Sequence, residues 1–203
     1  MISFNIIPVG SYCVNCVVAS LGGRCIVVDP GQDADAIKGF MEKQGLKPIA
    51  AVLTHGHFDH IGGVPGLLAA YPGLPVYAHP SDWPMLGHPM NQMPPDYPSV
   101  PRPDGLRDVR EIAGDFAEFG IRVLETPGHT PGSVCLLMGD HLLSGDTLFA
   151  GSCGRTDFPG GSMASMRRSL ASLARLPPKT QVIPGHGPTT TIGQEVSSNP
   201  FMA

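Results

Sequence analysis

Nowhere in the 203 residues does an apolar run approach the roughly 18 that a membrane span requires, and the opening Met1-Ile2-Ser3-Phe4-Asn5 lacks the basic start of a secretory signal. A cytoplasmic protein with no membrane partner is therefore expected. Charge is equally sparse: 13 basic residues face 17 acidic ones, the net charge is −4, and no block carries one sign. That balance argues against a nucleic-acid partner. The signatures G-x-S-x-G, G-x-x-x-x-G-K-[ST] and G-x-G-x-x-G do not occur, so neither a serine hydrolase nor a nucleotide-binding loop is indicated. Cysteine is scarce and odd in number, at positions 13, 16, 25, 135 and 153, which does not suit a secreted disulfide framework. The one C-x-x-C, Cys13 to Cys16, runs into a strand-like segment where residues three apart face opposite sides. Reduced, structural thiols are expected.

Glycine and proline are in excess, 26 and 22 residues, about twice their usual joint share, so turns and loops should take much of the chain. The length predicts one domain over residues 1–203 with an irregular excursion. Phe4 to Pro8, Cys13 to Ala19 and Cys25 to Val28 read as three antiparallel strands, the last ending at Asp29-Pro30-Gly31. Asp33 is placed to cap a helix carrying Ile37, Phe40 and Met41, and Ile49 to Leu53 reads as a buried strand. A short helix through Val64, Leu67, Leu68 and Tyr71 and a strand over Leu74 to Ala78 follow. From Pro80 to Pro103 the pattern lapses into eight prolines with Trp83, Met85, Met90 and Met93, either a surface excursion wedged down by those side chains or a wall beside a site. Strands are then predicted over Phe116 to Phe119, Ile121 to Glu125, Val134 to Met138 and Leu142-Leu143. Ser162 should cap a helix with Met163, Met166, Leu170 and Leu173 on one face, and Gln181 to Ile183 reads as a last strand.

The chemistry is concentrated in Thr54-His55-Gly56-His57-Phe58-Asp59-His60, four potential ligands within six residues after a buried strand. Imidazole nitrogen and carboxylate oxygen suit zinc, or iron and manganese. Three more donors stand in matching contexts, each flanked by glycine after an apolar run: His129 after Gly128, Asp146 after Gly145, and His186 between Gly185 and Gly187. Five of the eight histidines are thus engaged, and seven donors suffice for two ions if one carboxylate bridges them. Without metal, such a crowd of imidazoles and carboxylates would be left without partners. His79, His88 and His141 stand apart and read as ordinary polar residues.

His55-x-His57-x-Asp59-His60 followed in order by Gly128-His129-Thr130, Gly145-Asp146-Thr147 and Gly185-His186-Gly187 resembles the metallo-β-lactamase superfamily over essentially the whole chain. The resemblance implies an α/β fold, the αβ/βα four-layer sandwich with two mixed β-sheets and the metals at one edge. It implies two divalent ions, zinc first with iron or manganese as alternatives. His55, His57 and His129 would hold one ion, Asp59, His60 and His186 the other, and Asp146 would bridge. Within the superfamily, Gly145-Asp146-Thr147-Leu148-Phe149 followed by Cys153-Gly154-Arg155 is similar to glyoxalase II, in its short branch without the C-terminal helical domain, since 17 residues follow His186. The activity implied is hydrolysis of S-D-lactoylglutathione, or another hydroxyacylglutathione, by a metal-bridging hydroxide, with Asp59 and Asp146 as the catalytic carboxylates. Arg155 is the candidate substrate contact, and the partner is a small glutathione thioester. The run Gly154-Arg155-Thr156-Asp157-Phe158 departs toward persulfide dioxygenases, relatives that use one iron. Persulfide oxidation is therefore one alternative activity, and lactone hydrolysis, which no feature of the sequence excludes, is another.

Overall fold

The computed structural model describes residues 1–91 and 100–202. Its elements, in chain order, begin with β1 (Ser3–Val9), β2 (Val14–Leu21), β3 (Arg24–Val28), α1 (Ala34–Lys43), β4 (Lys47–Val52), α2 (Phe58–Ile61), α3 (Val64–Ala70) and β5 (Val76–Ala78). They continue with β6 (Arg107–Asp108), α4 (Ile112–Asp115), β7 (Ile121–Glu125), β8 (Val134–Met138), β9 (His141–Gly145), β10 (Leu148–Phe149) and β11 (Ser152–Cys153). The last are α5 (Met163–Leu173), β12 (Gln181–Pro184), β13 (Thr190–Thr191) and α6 (Ile192–Ser198).

Two mixed sheets carry the fold. One runs β1-β2-β3-β4-β5-β6, antiparallel across β1, β2 and β3 and parallel from β3 onward. The other runs β13-β12-β9-β8-β7, with only the β12–β9 pair parallel. Side chains alternate across each strand, and in strands buried on both faces, such as β2 and β8, successive residues enter different core layers. Val14, Cys16 and Val18 of β2 join α1 and α3 residues on one face, whereas Val17 and Ala19 face the second sheet. In β8, Val134, Leu136 and Met138 meet the first sheet, while Cys135 and Leu137 pack against Met166, Leu170 and Leu173 of α5. Three apolar layers therefore separate four structural layers, helix, sheet, sheet and helix, as the αβ/βα sandwich requires. Truncating a fully buried member such as Leu136 or Leu170 to alanine should cost about 2–5 kcal/mol.

Several local expectations need correction. Phe116 to Phe119 is not a strand: Ala117–Phe119 is a 3₁₀ turn that ends at Gly120, φ 57°, and it drives Phe119 into the core. The aromatic side chains gave the segment its strand-like look, but the turn is what buries Phe119 between the sheets. Asp33 precedes α1 with φ 51° and makes no side-chain cap; its carboxylate accepts from the Gly10 amide instead at 2.8 Å. The strand expected from Leu74 shortens to Val76–Ala78. In the excursion, Pro80–Asp82 and Pro89–Asn91 form 3₁₀ turns, and the Trp83 indole donates to the Ala78 carbonyl at 3.1 Å. Met93, Pro94, Pro95 and Pro98, and the side chain of Met90, lie outside the described residues. Cys13 lies in the turn before β2, with φ 50°, and is exposed rather than a strand residue, whereas Cys16 is buried within β2; the five cysteines are free. Among the described residues no helix is long and apolar enough to cross a membrane.

Candidate metal centre

The donors come from the C-terminal ends of the strands in both sheets. His55 follows β4 directly through Leu53 and Thr54, and His57 precedes α2, whose single turn presents Asp59 and His60. From the second sheet, His129 follows β7, Asp146 follows β9 and His186 follows β12. The two sheet edges are tied together beneath the site. Asn15 donates its backbone amide to Gly185 O at 2.8 Å and its side-chain amide to Pro184 O and Gly187 O, both at 2.9 Å. Gly185 is required by close approach, because a Cβ there would collide with Asp146 Oδ1 and with His60 Cε1.

All seven donors predicted from the sequence converge. His57 Nδ1 and His129 Nε2 lie 2.7 Å apart, and with His55 they form one compact group. A second group joins Asp59, His60 and His186: His60 Nε2 to His186 Nε2 is 3.3 Å, and His186 Nε2 to Asp59 Oδ2 is 3.3 Å. Asp146 reaches both groups. Its Oδ2 is 3.5 Å from His129 Nε2 and 3.7 Å from His186 Nε2, while Oδ1 is 3.3 Å from His60 Nε2. Donors placed about 2.0–2.1 Å from a tetrahedral ion stand about 3.3 Å from one another, which is the spacing of most of these pairs. Two atoms make the case for a cation on their own: His55 Nε2 and Asp146 Oδ1 are buried without a hydrogen-bond partner. The 3.3 Å approach of Asp146 Oδ1 to His60 lacks hydrogen-bond alignment. Buried polar atoms left in that state are costly unless an ion engages them, so the residues present fit divalent metal.

The rings are aimed by their other nitrogens. His60 Nδ1 lies 2.9 Å from Asp29 Oδ2, His129 Nδ1 2.7 Å from Arg155 O, and His186 Nδ1 3.0 Å from Tyr12 O. His55 Nδ1 is 3.1 Å from Thr54 Oγ1, a hydroxyl that itself donates to Asp29 Oδ2 at 2.6 Å. Each of these four thus turns Nε2 inward, a pattern that fixes tautomer and raises ligand basicity. Two carboxylates that sequence reasoning missed organise this support. Asp29 also accepts from the Thr54 amide at 2.7 Å. It stands just after an apolar strand, the same context that exposed His129, Asp146 and His186, so the signal was present in the sequence. Asp82, in the excursion, accepts from Gly56 N at 3.0 Å, Thr130 Oγ1 at 2.7 Å and Gly132 N at 2.7 Å. It therefore holds the turn between His55 and His57 against the loop that carries His129.

The electrostatics divide the two groups. Burial pushes His55 well below its ordinary range, reinforced by His60, His129 and His57. Burial together with His129 takes His57 down to about 4. His60 goes the other way: burial opposes its charge, but Asp146, Asp29 and Asp59 outweigh burial and raise it well above the ordinary value. His186 is likewise raised: burial opposes its charge, but the hydrogen bond to Asp59 and the charges of Asp146 and Asp59 together outweigh it. Burial works to raise Asp146, yet His60, His129 and His186 hold it far below the usual carboxylate range.

The centre opens into a cavity of 560 Å³ whose wall includes Tyr12, Phe149, Ser152, Cys153, Arg155 and Phe158. Arg155 sits at this wall but not among the donors. Its guanidinium makes two 2.7 Å bonds to Asp157 and lies 3.9 Å over the Phe158 ring. A ligand carboxylate would have to share that charge with Asp157.

A family model for the metallo-beta-lactamase superfamily matches residues 12–186. A Bacillus subtilis protein named "Probable metallo-hydrolase" is 34% identical over 96% of this chain and 95% of its own length. The hydroxyacylglutathione hydrolase of Alkalilimnicola ehrlichii is 41% identical over 79% of this chain, a match that spans 55% of that enzyme. Among solved structures, a protein in a di-iron-bound form superimposes with a TM-score of 0.88 at 38% identity, covering 97% of this chain and 99% of the other. A B3 metallo-beta-lactamase superimposes with a TM-score of 0.87 at 34% identity, covering 98% and 99%.

Proposed function

The chain belongs to the metallo-beta-lactamase superfamily, and we propose that within it the protein is a thioester hydrolase that converts S-D-lactoylglutathione, or a related hydroxyacylglutathione, to the free acid and glutathione. The observation that carries the reading is the pairing of a seven-donor centre with an open 560 Å³ cavity of mixed polarity, roomy enough for a tripeptide thiol. The likeness to hydroxyacylglutathione hydrolase supports the choice of thiol, although this chain spans about half the length of that relative.

His55, His57 and His129 are assigned to one ion, Asp59, His60 and His186 to the other, and Asp146 to both. Zinc is the first choice, with iron or manganese accepted by the same donors. Two such ions supply Lewis acidity and bring a water's pKa toward neutrality. The chain's own contribution is orientation and charge. Asp29, Thr54, Tyr12 O and Arg155 O hold the imidazoles in register. Asp59 stands at the cavity with one carboxylate oxygen beside His186, placed to accept a hydrogen bond from the attacking water. Water's oxygen joins the carbonyl carbon as one of its protons passes to Asp59, the C–S bond breaks, and the departing thiolate takes up that proton, leaving the free acid and the thiol. Arg155 and Tyr12 line the part of the cavity where the peptide's polar groups would lie.

The test follows loss of S-D-lactoylglutathione by protein of known metal content, with oxygen uptake recorded on glutathione persulfide and hydrolysis on a lactone and a β-lactam. Thioester loss, with no oxygen uptake and with the lactone and β-lactam turned over more slowly, is the expected result. Oxygen uptake by protein carrying one iron, or a faster reaction with the lactone or β-lactam, would overturn the assignment.

A further inference from the structure

A second cavity, of 340 Å³, adjoins the first and is enclosed by residues of a different kind. Its walls are mostly apolar, Pro84 and Met85 from the proline-rich excursion, Pro159 from the loop beyond Arg155, and the rings of Phe58 and Phe158, with His88 and Asn91 of the excursion beside them. The two cavities share His57, Phe58 and Phe158, so the smaller one begins at a candidate ligand and leads away from Asp146 and His186. Its wall is fixed in place. Asn91 Nδ2 donates to Gly56 O at 2.7 Å, and Trp83, next to Pro84, is anchored by its indole to Ala78 O. Such a space is preformed, and its occupant need not order it.

We propose that this second cavity is an acyl-group subsite and that the preferred substrates carry an apolar acyl chain or ring larger than lactoyl. The inference rests on the thioester reading above. A carbonyl placed at His57 stands where the cavities meet, so its two substituents separate, one into each. Among Pro84, Met85, Phe58, Phe158 and Pro159 the tripeptide's charged ends would meet only the His88 ring and the Asn91 amide, which already donates to Gly56 O, whereas the first cavity offers Tyr12, Ser152 and the cationic Arg155. The thiol portion therefore takes the first cavity and the acyl portion the second. A lactoyl group brings a hydroxyl and a single methyl, and leaves most of 340 Å³ without an apolar partner. The excursion thus serves as a specificity wall, one of the two roles its composition suggested.

The experiment measures kcat/KM on full-length, metal-loaded protein with lactoyl-, acetyl-, butanoyl- and hexanoyl-glutathione. Each methylene that enters the cavity should raise kcat/KM by about fourfold until the space is filled. Met85→Gln, close in size but polar, should flatten that rise, bringing the ratio of hexanoyl to acetyl kcat/KM down toward one. Pro84→Trp, at the rim, should lower the hexanoyl rate selectively and stands in if the first variant folds poorly. A parallel calorimetric series uses non-hydrolysable 2-oxoalkyl thioethers of glutathione, whose affinity should climb with chain length and show a negative heat-capacity change. If lactoylglutathione is hydrolysed but kcat/KM is flat or falls with chain length, the acyl subsite is refuted and the thioester reading stands. If none of the four thioesters reacts, the thioester reading falls and the subsite with it.

Discussion

Asp82 offers the sharpest perturbation of the site, because it touches the metal donors only through backbone and hydroxyl groups. Its side chain is 1% exposed as a residue and accepts from Gly56 N, Thr130 Oγ1 and Gly132 N. Burial raises its pKa even against those three donors, so the carboxylate is held at a cost. Replacing it by alanine strips two buried amides of their acceptor. The Thr130 hydroxyl is spared, since Ser133 Oγ lies 2.8 Å away. At about 1.5–3 kcal/mol for each charge-assisted bond, less the relief of removing a buried carboxylate, Asp82→Ala should cost about 4 kcal/mol. For a chain of this size that is a fall in Tm of about 8–16 °C. Asp82→Asn keeps the volume and one acceptor and should lose about half as much. Circular dichroism melts of metal-free protein measure the stability effect, and competition with a chromophoric chelator measures metal affinity. Affinity should drop chiefly for the ion held by His55, His57 and His129, whose turn and loop Asp82 joins. A variant Asp82→Ala that melts within about 2 °C of the parent and binds metal equally would refute this reasoning.

Acid should remove the two ions in sequence. Protons compete best where the metal-free imidazoles have raised pKa values, at His60 and His186, and least at His55 and at His57, which titrates near 4. As pH falls, the ion of Asp59, His60 and His186 should leave first, and elemental analysis after desalting at stepped pH should show a plateau near one ion per chain; simultaneous loss of both would contradict the assignment. Asp29→Asn removes the negative charge behind His60 and should weaken the same ion by about 10–100-fold, read in the chelator competition, and unchanged affinity would count against it. Arg155→Ala should raise KM for the glutathione thioester with kcat little changed, since Asp157 already shares its charge; a fall in kcat alone would point to a different role. Of the cysteines, Cys13 should react quickly with a disulfide reagent at pH 8, while burial pushes Cys25 to about 12 and Cys135 to about 11 and should keep both silent until unfolding.

The gathering of the seven donors was legible because His55, His57, His129, Asp146 and His186 each stand beside glycine after an apolar run, and Asp59 and His60 follow within the same short segment as His55 and His57. In the second sheet β7, β9 and β12 run in the same direction, so the donors that follow them meet at one edge. Asp29 carried the same signal but was overshadowed by Pro30-Gly31, which reads first as a turn. Asp82 carried none: in His79-Pro80-Ser81-Asp82 it looks like a turn residue, and only the folded chain brings Gly56, Thr130 and Gly132 to it. The layer order came with the family resemblance, since strands such as Val14–Leu21 are buried on both faces and carry no polar alternation, and Ala117–Phe119 reads as a strand because its aromatic content outweighs the turn signal of Gly120. The acyl subsite was invisible in sequence, since Phe58, Pro84, Met85 and Phe158 share no pattern and meet only across two loops.

The central claim is that His55, His57 and His129, Asp59, His60 and His186, and the shared Asp146 together hold two ions. Metal per chain, measured by elemental analysis on the parent and on Asp146→Asn after equilibration with zinc and removal of excess, tests it most directly. Two ions per parent chain, falling to one or none in the variant with the fold intact by circular dichroism, is the expected result. A parent that retains a single ion, or a variant that keeps both, would contradict it.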